Sequence, residues 1–121
     1  MSKAGDVAKQ FYQAVVKRDL TTAKTFLADD LEFVGLFETY HGPAEYLAAL
    51  AGLLGVTVRL DVRTIISEGD QAAVFFELET KAPVEAVTFV AEWFQVENGK
   101  VRRVQSAFDG RPFAAMFTGR K

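Results

Sequence analysis

One carboxylate, Glu92, lies between apolar residues in the segment AEWFQVENGKVRRVQSAFDG, residues 91–110. A carboxylic acid in apolar surroundings can keep its proton near neutral pH and take part in acid–base chemistry. Asn98-Gly99, in the middle of the segment, is typical of a tight turn between two antiparallel strands. The chemistry open to Glu92 therefore depends on how these two strands pair.

The Asn98-Gly99 dipeptide allows two strand registers, and a slip of one residue moves every side chain to the other face of the hairpin. In a two-residue type I′ loop, Glu97 pairs with Lys100. Glu92 then lies on a polar outer face with Arg103. This register predicts an ordinary surface carboxylate.

In the second register Gly99 forms a bulge, and Val96 pairs with Lys100. Glu92 then shares its face with five apolar residues and one serine, namely Val90, Phe94, Val96, Val104, Phe108 and Ser106. Burial among such side chains disfavours the charged carboxylate. We expect this arrangement, with Glu92 at the wall of an apolar cavity and its pKa raised.

Other charged residues have simpler structural explanations. Arg59 and Asp61 alternate along one predicted strand, and Glu77 and Glu79 alternate along the next. Cross-strand ion pairs on a solvated face explain all four. His41 precedes a predicted helix, where its side chain can cap or pack, and it is the only histidine.

The remaining carboxylates and the composition argue against a metal site. Asp29 and Asp30 suggest a solvated loop, and Asp109 suggests a turn or a dimer contact. With one histidine and no cysteine, a zinc site has too few ligands, and disulfides and thiolate chemistry are excluded. We predict neither a metal nor a cofactor.

The composition is that of an ordinary globular protein. The chain has 121 residues, half of them hydrophobic and a quarter charged, with a net charge of −2. That charge predicts neither nucleic-acid nor membrane binding. The N-terminus has no apolar signal segment, so we expect a cytoplasmic protein. The 11 phenylalanines suggest an aromatic core or an apolar cavity.

Hydrophobic periodicity divides the chain into helices followed by strands. Helical patterns cover 6–18, with Asp6 as a cap, then 20–28 and 41–54. A strand-like run covers 29–37, and alternating strands cover 56–66, 71–81, 84–97 and 100–108. This order predicts an α+β fold, a curved antiparallel sheet with N-terminal helices packed on its concave side. The open end of such a cone is a natural ligand cavity.

Four segments, spaced over nearly the whole chain, resemble the SnoaL-like and ketosteroid-isomerase-like branch of the nuclear transport factor 2-like (cystatin-like) superfamily. They are FYQAVVKRD, FLADDLEFVG, HGPAEYLAAL and FQVENGKVRRVQSAFD. The resemblance implies one SnoaL-like domain over 1–121, a cone-shaped α+β fold with an apolar cavity, and a homodimer. It implies no single activity, because this fold hosts isomerases, cyclases, dehydratases, epoxide hydrolases and binding proteins.

The resemblance also allows a test for inherited chemistry. Ketosteroid isomerases use a tyrosine on the first helix, a base aspartate on the first strand and a protonated aspartate on the long strand. Here the tyrosine position falls on Phe11, beside Tyr12, and the base position falls on Gly35. The third falls on Ala91 or Glu92. The base is missing, so the isomerase site is not intact.

The chain is therefore expected to bind a hydrophobic cyclic small molecule that is steroid-, polyketide- or terpenoid-like. The alternative is an acid–base enzyme, an isomerase, cyclase or hydrolase-type lyase, acting on such a molecule. In either case Glu92 and Tyr12 are the expected catalytic residues. The expected ligand-binding residues are Phe11, Phe33, Phe37, Phe94 and Phe108.

Overall fold

The computed structural model describes residues 2–115, which form three α-helices, six strands and a short 3-10 helix. The helices are α1 (Lys3–Val16), α2 (Leu20–Lys24) and α3 (Pro43–Gly55). The strands are β1 (Leu27–Val34), β2 (Thr39–His41), β3 (Thr57–Glu68), β4 (Gln71–Thr80), β5 (Ala86–Glu97) and β6 (Lys100–Phe108), and the 3-10 helix is Arg111–Phe113.

The first helix begins with a different cap from the one expected, whereas the second begins at Leu20 as expected. Ser2, not Asp6, caps α1, and its hydroxyl oxygen accepts a hydrogen bond from the Gly5 N–H at 3.4 Å. Asp19 caps α2 by accepting from the Thr22 N–H at 3.1 Å. Both caps satisfy N–H groups that have no partner within the helix. α2 is shorter than expected because the chain already enters β1 at Leu27.

The six strands form one curved, unclosed sheet in the order β2-β1-β6-β5-β4-β3. The α+β fold is confirmed, but the sheet is not wholly antiparallel, because β1 and β6 run parallel. Hairpins join β3 through β6 in turn, whereas β1 lies far from β6 in the chain. Parallel pairing needs such a long connection. The short β2, which the sequence patterns did not predict, pairs with β1 at the sheet edge.

The inner face of the sheet and α1 together bury the core. On β4 and β5 alternate residues point inward, and Val74 and Phe94 have no exposed surface. Phe11 and Val15 of α1 pack on them and are equally buried. A buried aromatic side chain contributes roughly 1.5–3 kcal/mol relative to an exposed one. This packing determines which face of α1 lies against the sheet.

The outer face of the sheet carries both charges and apolar residues. Arg59 lies 3.4 Å from both Glu77 and Glu79, and Arg63 lies 2.7 Å from Glu77. The predicted cross-strand ion pairs are thus confirmed. Beside them, four large apolar side chains are about half exposed or more, namely Ile66, Val87, Phe89 and Trp93.

Among residues 2–115, no helix is both long and apolar enough to cross a membrane. The cytoplasmic location expected from the sequence stays a prediction.

Two glycine substitutions should have opposite effects on stability. Gly99 has a φ of +76°, so Gly99→Ala should lower the free energy of unfolding by about 1 kcal/mol. Gly52 lies in α3 with nothing within 4 Å of an added Cβ, so Gly52→Ala should raise it by up to about 1 kcal/mol. Urea unfolding of both variants checks this. Equal effects would contradict the turn assignment.

Candidate functional site

The β5–β6 hairpin combines the turn of the first register with the facing of the second. Asn98 and Gly99 both have positive φ, and Glu97 pairs with Lys100, as in a type I′ loop. A bulge then shifts the register, because Val96 pairs with Val101 whereas Gln95 pairs with Arg103. The expected bulge at Gly99, with Val96 paired to Lys100, is therefore wrong. The extra residue is Arg102, and it turns the rest of the hairpin over, so that the expected facing of Glu92 is kept.

Beyond this bulge, Glu92 faces the interior. It pairs with Ser106 across the hairpin, and only 6% of its surface is exposed. The Tyr12 hydroxyl donates a hydrogen bond to its Oε1. Burial raises the pKa of Glu92 to about 7, although hydrogen bonding from Tyr12 and then Ser106 opposes the shift. The expected burial and raised pKa are confirmed.

Tyr12 reaches Glu92 from α1 and is held by aromatic contacts. Its ring lies 5.2 Å from the ring of Phe11, 5.2 Å from Phe76 and 5.9 Å from Phe94. Burial, and secondly the negative charge of Glu92, raise the pKa of Tyr12 well above its ordinary value. Tyr12 therefore stays protonated and donates to Glu92.

A second buried tyrosine, Tyr46 on α3, lies near the same carboxyl group. Its ring stacks on Phe33 at 4.7 Å and on Phe11 at 6.2 Å. Burial and the nearby charge of Glu92 raise its pKa well above the ordinary value. Tyr46 is not among the site residues expected from the sequence. The sequence pattern that could have identified it is its spacing from Leu50 and Leu54. This spacing places the Tyr46 ring on the buried face of α3.

These groups line a pocket of about 330 Å³ between the sheet, α3 and the β1–β2 loop. Its wall is mostly apolar, and its ionisable groups among the described residues are two carboxylates and three phenols: Glu38, Glu92, Tyr12, Tyr40 and Tyr46. Of the expected ligand-binding residues, Phe33, Phe37 and Phe108 lie on the wall. The arrangement joins a protonatable acid to an apolar, ring-lined space.

Two expected ligand-binding residues, Phe11 and Phe94, lie elsewhere. Both have no exposed surface, and neither borders the pocket. They lie behind the wall, where Phe11 contacts the rings of both Tyr12 and Tyr46. The expectation is corrected because helical and strand periodicity identifies an inward face but not the depth of a residue along it. Phe11 and Phe94 position the wall instead of forming it.

Gly35, where the related isomerases carry their base, does border the pocket. A Cβ at this position would lie 2.9 Å from the backbone oxygen of Glu38 and 3.2 Å from the Phe33 ring. The Gly35 N–H also donates to that oxygen at 2.8 Å. Any side chain at Gly35 would therefore clash with the backbone of this loop. An aspartate could not be placed there unless the backbone moved.

The remaining candidate residues lie outside the pocket. His41 is exposed, and its backbone N–H donates to the Glu45 carboxylate at 2.9 Å. Asp109 is exposed and accepts from the Arg111 backbone and guanidinium, which lower its pKa to about 2. Asp109 thus has the turn role. Within residues 2–115, no three of the His, Asp and Glu residues are grouped to hold a metal ion.

A second hollow, of about 680 Å³, lies between α1 and the edge strand β3. It shares Tyr12 and Leu60 with the pocket, but its other lining residues include Lys9, Lys17 and Asp61. None of its described lining residues is a buried carboxylate. The pocket around Glu92 is therefore the candidate site.

Solved structures with the same fold cover nearly the whole chain. A nuclear transport factor 2-like protein of unknown function from Burkholderia pseudomallei K96243 is 20% identical, covers 98% of this chain and 99% of its own, and has a TM-score of 0.78. TerC, co-crystallised with polyporic acid, is 22% identical over 97% and 99% of the two chains, with a TM-score of 0.80.

A third solved structure is an LEH-like epoxide hydrolase of M. tuberculosis, which is 19% identical over 97% of this chain and 90% of its own, with a TM-score of 0.76. At such identities these likenesses show the fold alone. No curated protein matches the chain. The SnoaL-like domain model, however, matches residues 8–104. Because that match spans most of the sequence, the chain belongs to the SnoaL-like domain family of the nuclear transport factor 2-like superfamily.

Proposed function

We propose that this protein binds a hydrophobic cyclic molecule in the pocket and holds one of its oxygen atoms with Glu92. The observation that carries the proposal is a buried carboxyl group, Glu92, in a mostly apolar wall. A pocket with few, well-placed polar groups is the usual form of a small-molecule site. Ligands of steroid, polyketide or terpenoid type fit this chemistry.

The protonation of Glu92 decides which oxygen it binds. When the pH is below the pKa of Glu92, which is about 7, the group is a neutral acid. It can then donate a hydrogen bond to a carbonyl or phenol oxygen. Tyr12 already donates to Oε1, so Oε2 is left to carry the proton. The hydrogen bond from Tyr12 thereby helps to hold the carboxyl group in place at the pocket wall, together with the hydrogen bond from Ser106.

An acid–base enzyme acting on such a molecule is the second candidate. A pKa of about 7 for Glu92 is well matched to proton transfer at neutral pH. TerC and the epoxide hydrolase support an enzyme only through their shared fold. Against hydrolase-like chemistry, Arg59 and Asp61 point outward into ion pairs. Binding with weak or no turnover is our primary proposal.

Binding of 2-naphthol tests the proposed function. Glu92→Gln should retain most of the affinity, because the amide still accepts from Tyr12 and donates to the ligand. Glu92→Leu should weaken binding by roughly five- to tenfold through loss of that hydrogen bond. Titration calorimetry at pH 6 measures both. Equal affinity of the parent and the Leu variant, or no binding by the parent, would contradict the assignment.

The raised pKa of Glu92 also predicts a pH-dependent stability. Its pKa rises from 4.5 to about 7 on folding, so its stabilising contribution is complete below about pH 4.5 and is lost as the pH rises through 7. Glu92→Gln removes this dependence. The free energy of unfolding of Glu92→Gln minus that of the parent should therefore be about 3 kcal/mol larger at pH 8 than at pH 4.5.

Urea unfolding at several pH values measures that difference. The control is Glu85→Gln, which removes an exposed carboxylate just before the same strand and should follow the parent at every pH. A Glu92→Gln curve parallel to the parent would mean that Glu92 is charged and solvated in the folded protein.

The apolar outer face of the sheet supports a homodimer as a further part of the proposal. Phe89 is 57% exposed and Trp93 is 45% exposed, and Phe75 stacks on Phe89 at 6.2 Å. An apolar patch of this kind on a sheet face is typical of an interface. The ion pairs of Arg59 and Arg63 would form its polar rim.

Phe89→Lys should convert the dimer to a monomer, because a charge would be buried without a partner at the interface. The matched control is Val16→Lys, since Val16 is 42% exposed but lies at the end of α1. Sedimentation velocity at micromolar concentration measures the assembly state. A monomeric parent, or dissociation by the control alone, would argue against this interface.

A further inference from the structure

Five polar or charged side chains are buried among residues 2–115, namely Thr57, Thr80, Thr88, Glu92 and Ser106. The hydroxyl groups of Thr57 and Thr80 each donate to a backbone carbonyl oxygen at 2.8 Å. Ser106 is hydrogen bonded to Glu92. Thr88 is the exception, because its hydroxyl group has no hydrogen-bond partner within the described residues, although only 7% of the residue is exposed.

The hydroxyl group of Thr88 borders the pocket. In the described part of the chain, every side-chain oxygen that is fully enclosed has a hydrogen-bond partner. The Thr88 oxygen has none, so it must border open space, and Thr88 forms part of the pocket wall. Buried hydroxyl groups normally have a partner. Thr88 therefore offers one donor and one acceptor to a bound molecule.

Thr88 and Glu92 lie on the same face of β5 but far apart along it. The two residues are four positions apart and both face inward. At about 3.4 Å per residue, their backbones are separated by about 13 Å. Every residue of β5 from Ala86 to Gln95 pairs in turn with β4, so no bulge shortens this distance.

The wall between these two polar groups is apolar. Val90 lies midway between them on β5 and borders the pocket. On the neighbouring strand, Phe76 pairs with Val90 and Leu78 pairs with Thr88, and both also line the pocket. The pocket therefore follows β5 from one polar group to the other along a stretch that suits rings.

We infer that Thr88 is a second polar contact for the ligand and selects molecules with a second oxygen atom at the end remote from Glu92. This inference rests on the proposed function and specifies its ligand. The ligand is an elongated apolar skeleton of two or more rings, with a hydroxyl or carbonyl oxygen at each end. A shorter molecule that binds at Glu92 would not reach Thr88.

Two rigid probes of the same length test this contact with the full chain. They are 4,4′-dihydroxystilbene, with a hydroxyl group at each end, and 4-hydroxystilbene, with one. Titration calorimetry at pH 6 should show that the parent binds the diol roughly five- to tenfold more tightly. Thr88→Val replaces the hydroxyl group by a methyl group and should abolish this preference, with the affinity for 4-hydroxystilbene unchanged.

Two further variants control for packing. Thr88→Ser keeps the hydroxyl group and should keep the preference for the diol. Thr64→Val changes an exposed threonine of β3 and should also keep it. If Thr88→Val does not fold, Thr88→Ser and Thr88→Ala, which differ only by the hydroxyl group, make the same comparison.

The length of the ligand is tested with 2,6-dihydroxynaphthalene, which has two hydroxyl groups on a shorter skeleton. The parent should bind it no more than about twofold more tightly than 2-naphthol, the factor that two equivalent ends allow. Thr88→Val should not change that ratio. If Thr88→Val weakens the short diol as much as the long one, the two polar contacts are closer together than inferred and the inference is wrong.

The outcomes separate this inference from the proposed function. If the parent binds neither 4-hydroxystilbene nor 2-naphthol, the proposed function fails, and the inference fails with it. If Glu92→Leu weakens the binding of 4-hydroxystilbene but the parent binds both stilbenes equally, the contact at Thr88 is wrong and the proposed function stands.

Discussion

The burial of one carboxyl group, Glu92, is the constraint on which the rest of the site depends. Removing a carboxylate from water is costly, and the group responds by holding its proton more tightly. Tyr12 and Ser106 offset part of that cost by hydrogen bonding, yet the pKa remains raised to about 7. Around neutral pH the site therefore exists in two forms, a donor acid and an acceptor base. That balance is the physical basis of its proposed recognition.

The surrounding structure maintains this burial from three directions. The bulge at Arg102 turns β5 so that Glu92 faces inward. Phe11 then fixes the two tyrosine rings that approach the carboxyl group from α1 and α3. Because Phe11 touches no ligand space but contacts both rings, its packing determines the geometry of the site. The aromatic residues of the core and of the site thus form one cluster, and the carboxyl group of Glu92 lies within it.

Family membership restricts the function less than this geometry does. The SnoaL-like fold supports several chemistries, and the base position of related isomerases is occupied by Gly35, which the loop around Glu38 closes to side chains. The absence of a side chain at Gly35 therefore favours the proposed binding over isomerisation.

The sequence by itself determined the helix-then-strand order and the outward ion pairs of Arg59, because hydrophobic periodicity is local. It did not determine the turn at Asn98-Gly99, where the expected bulge at Gly99 proved wrong and a type I′ loop is found. It left open which face of β5 Glu92 occupies. Only the tertiary structure decided that, because the bulge at Arg102 is set by pairing with β5 and by burial of Val101 and Val104 on the same face. The parallel β1–β6 pair, the depth of Phe11 and the position of Tyr46 beside Phe33 and Phe11 were likewise decided by contacts between residues distant in the chain, which no local pattern encodes.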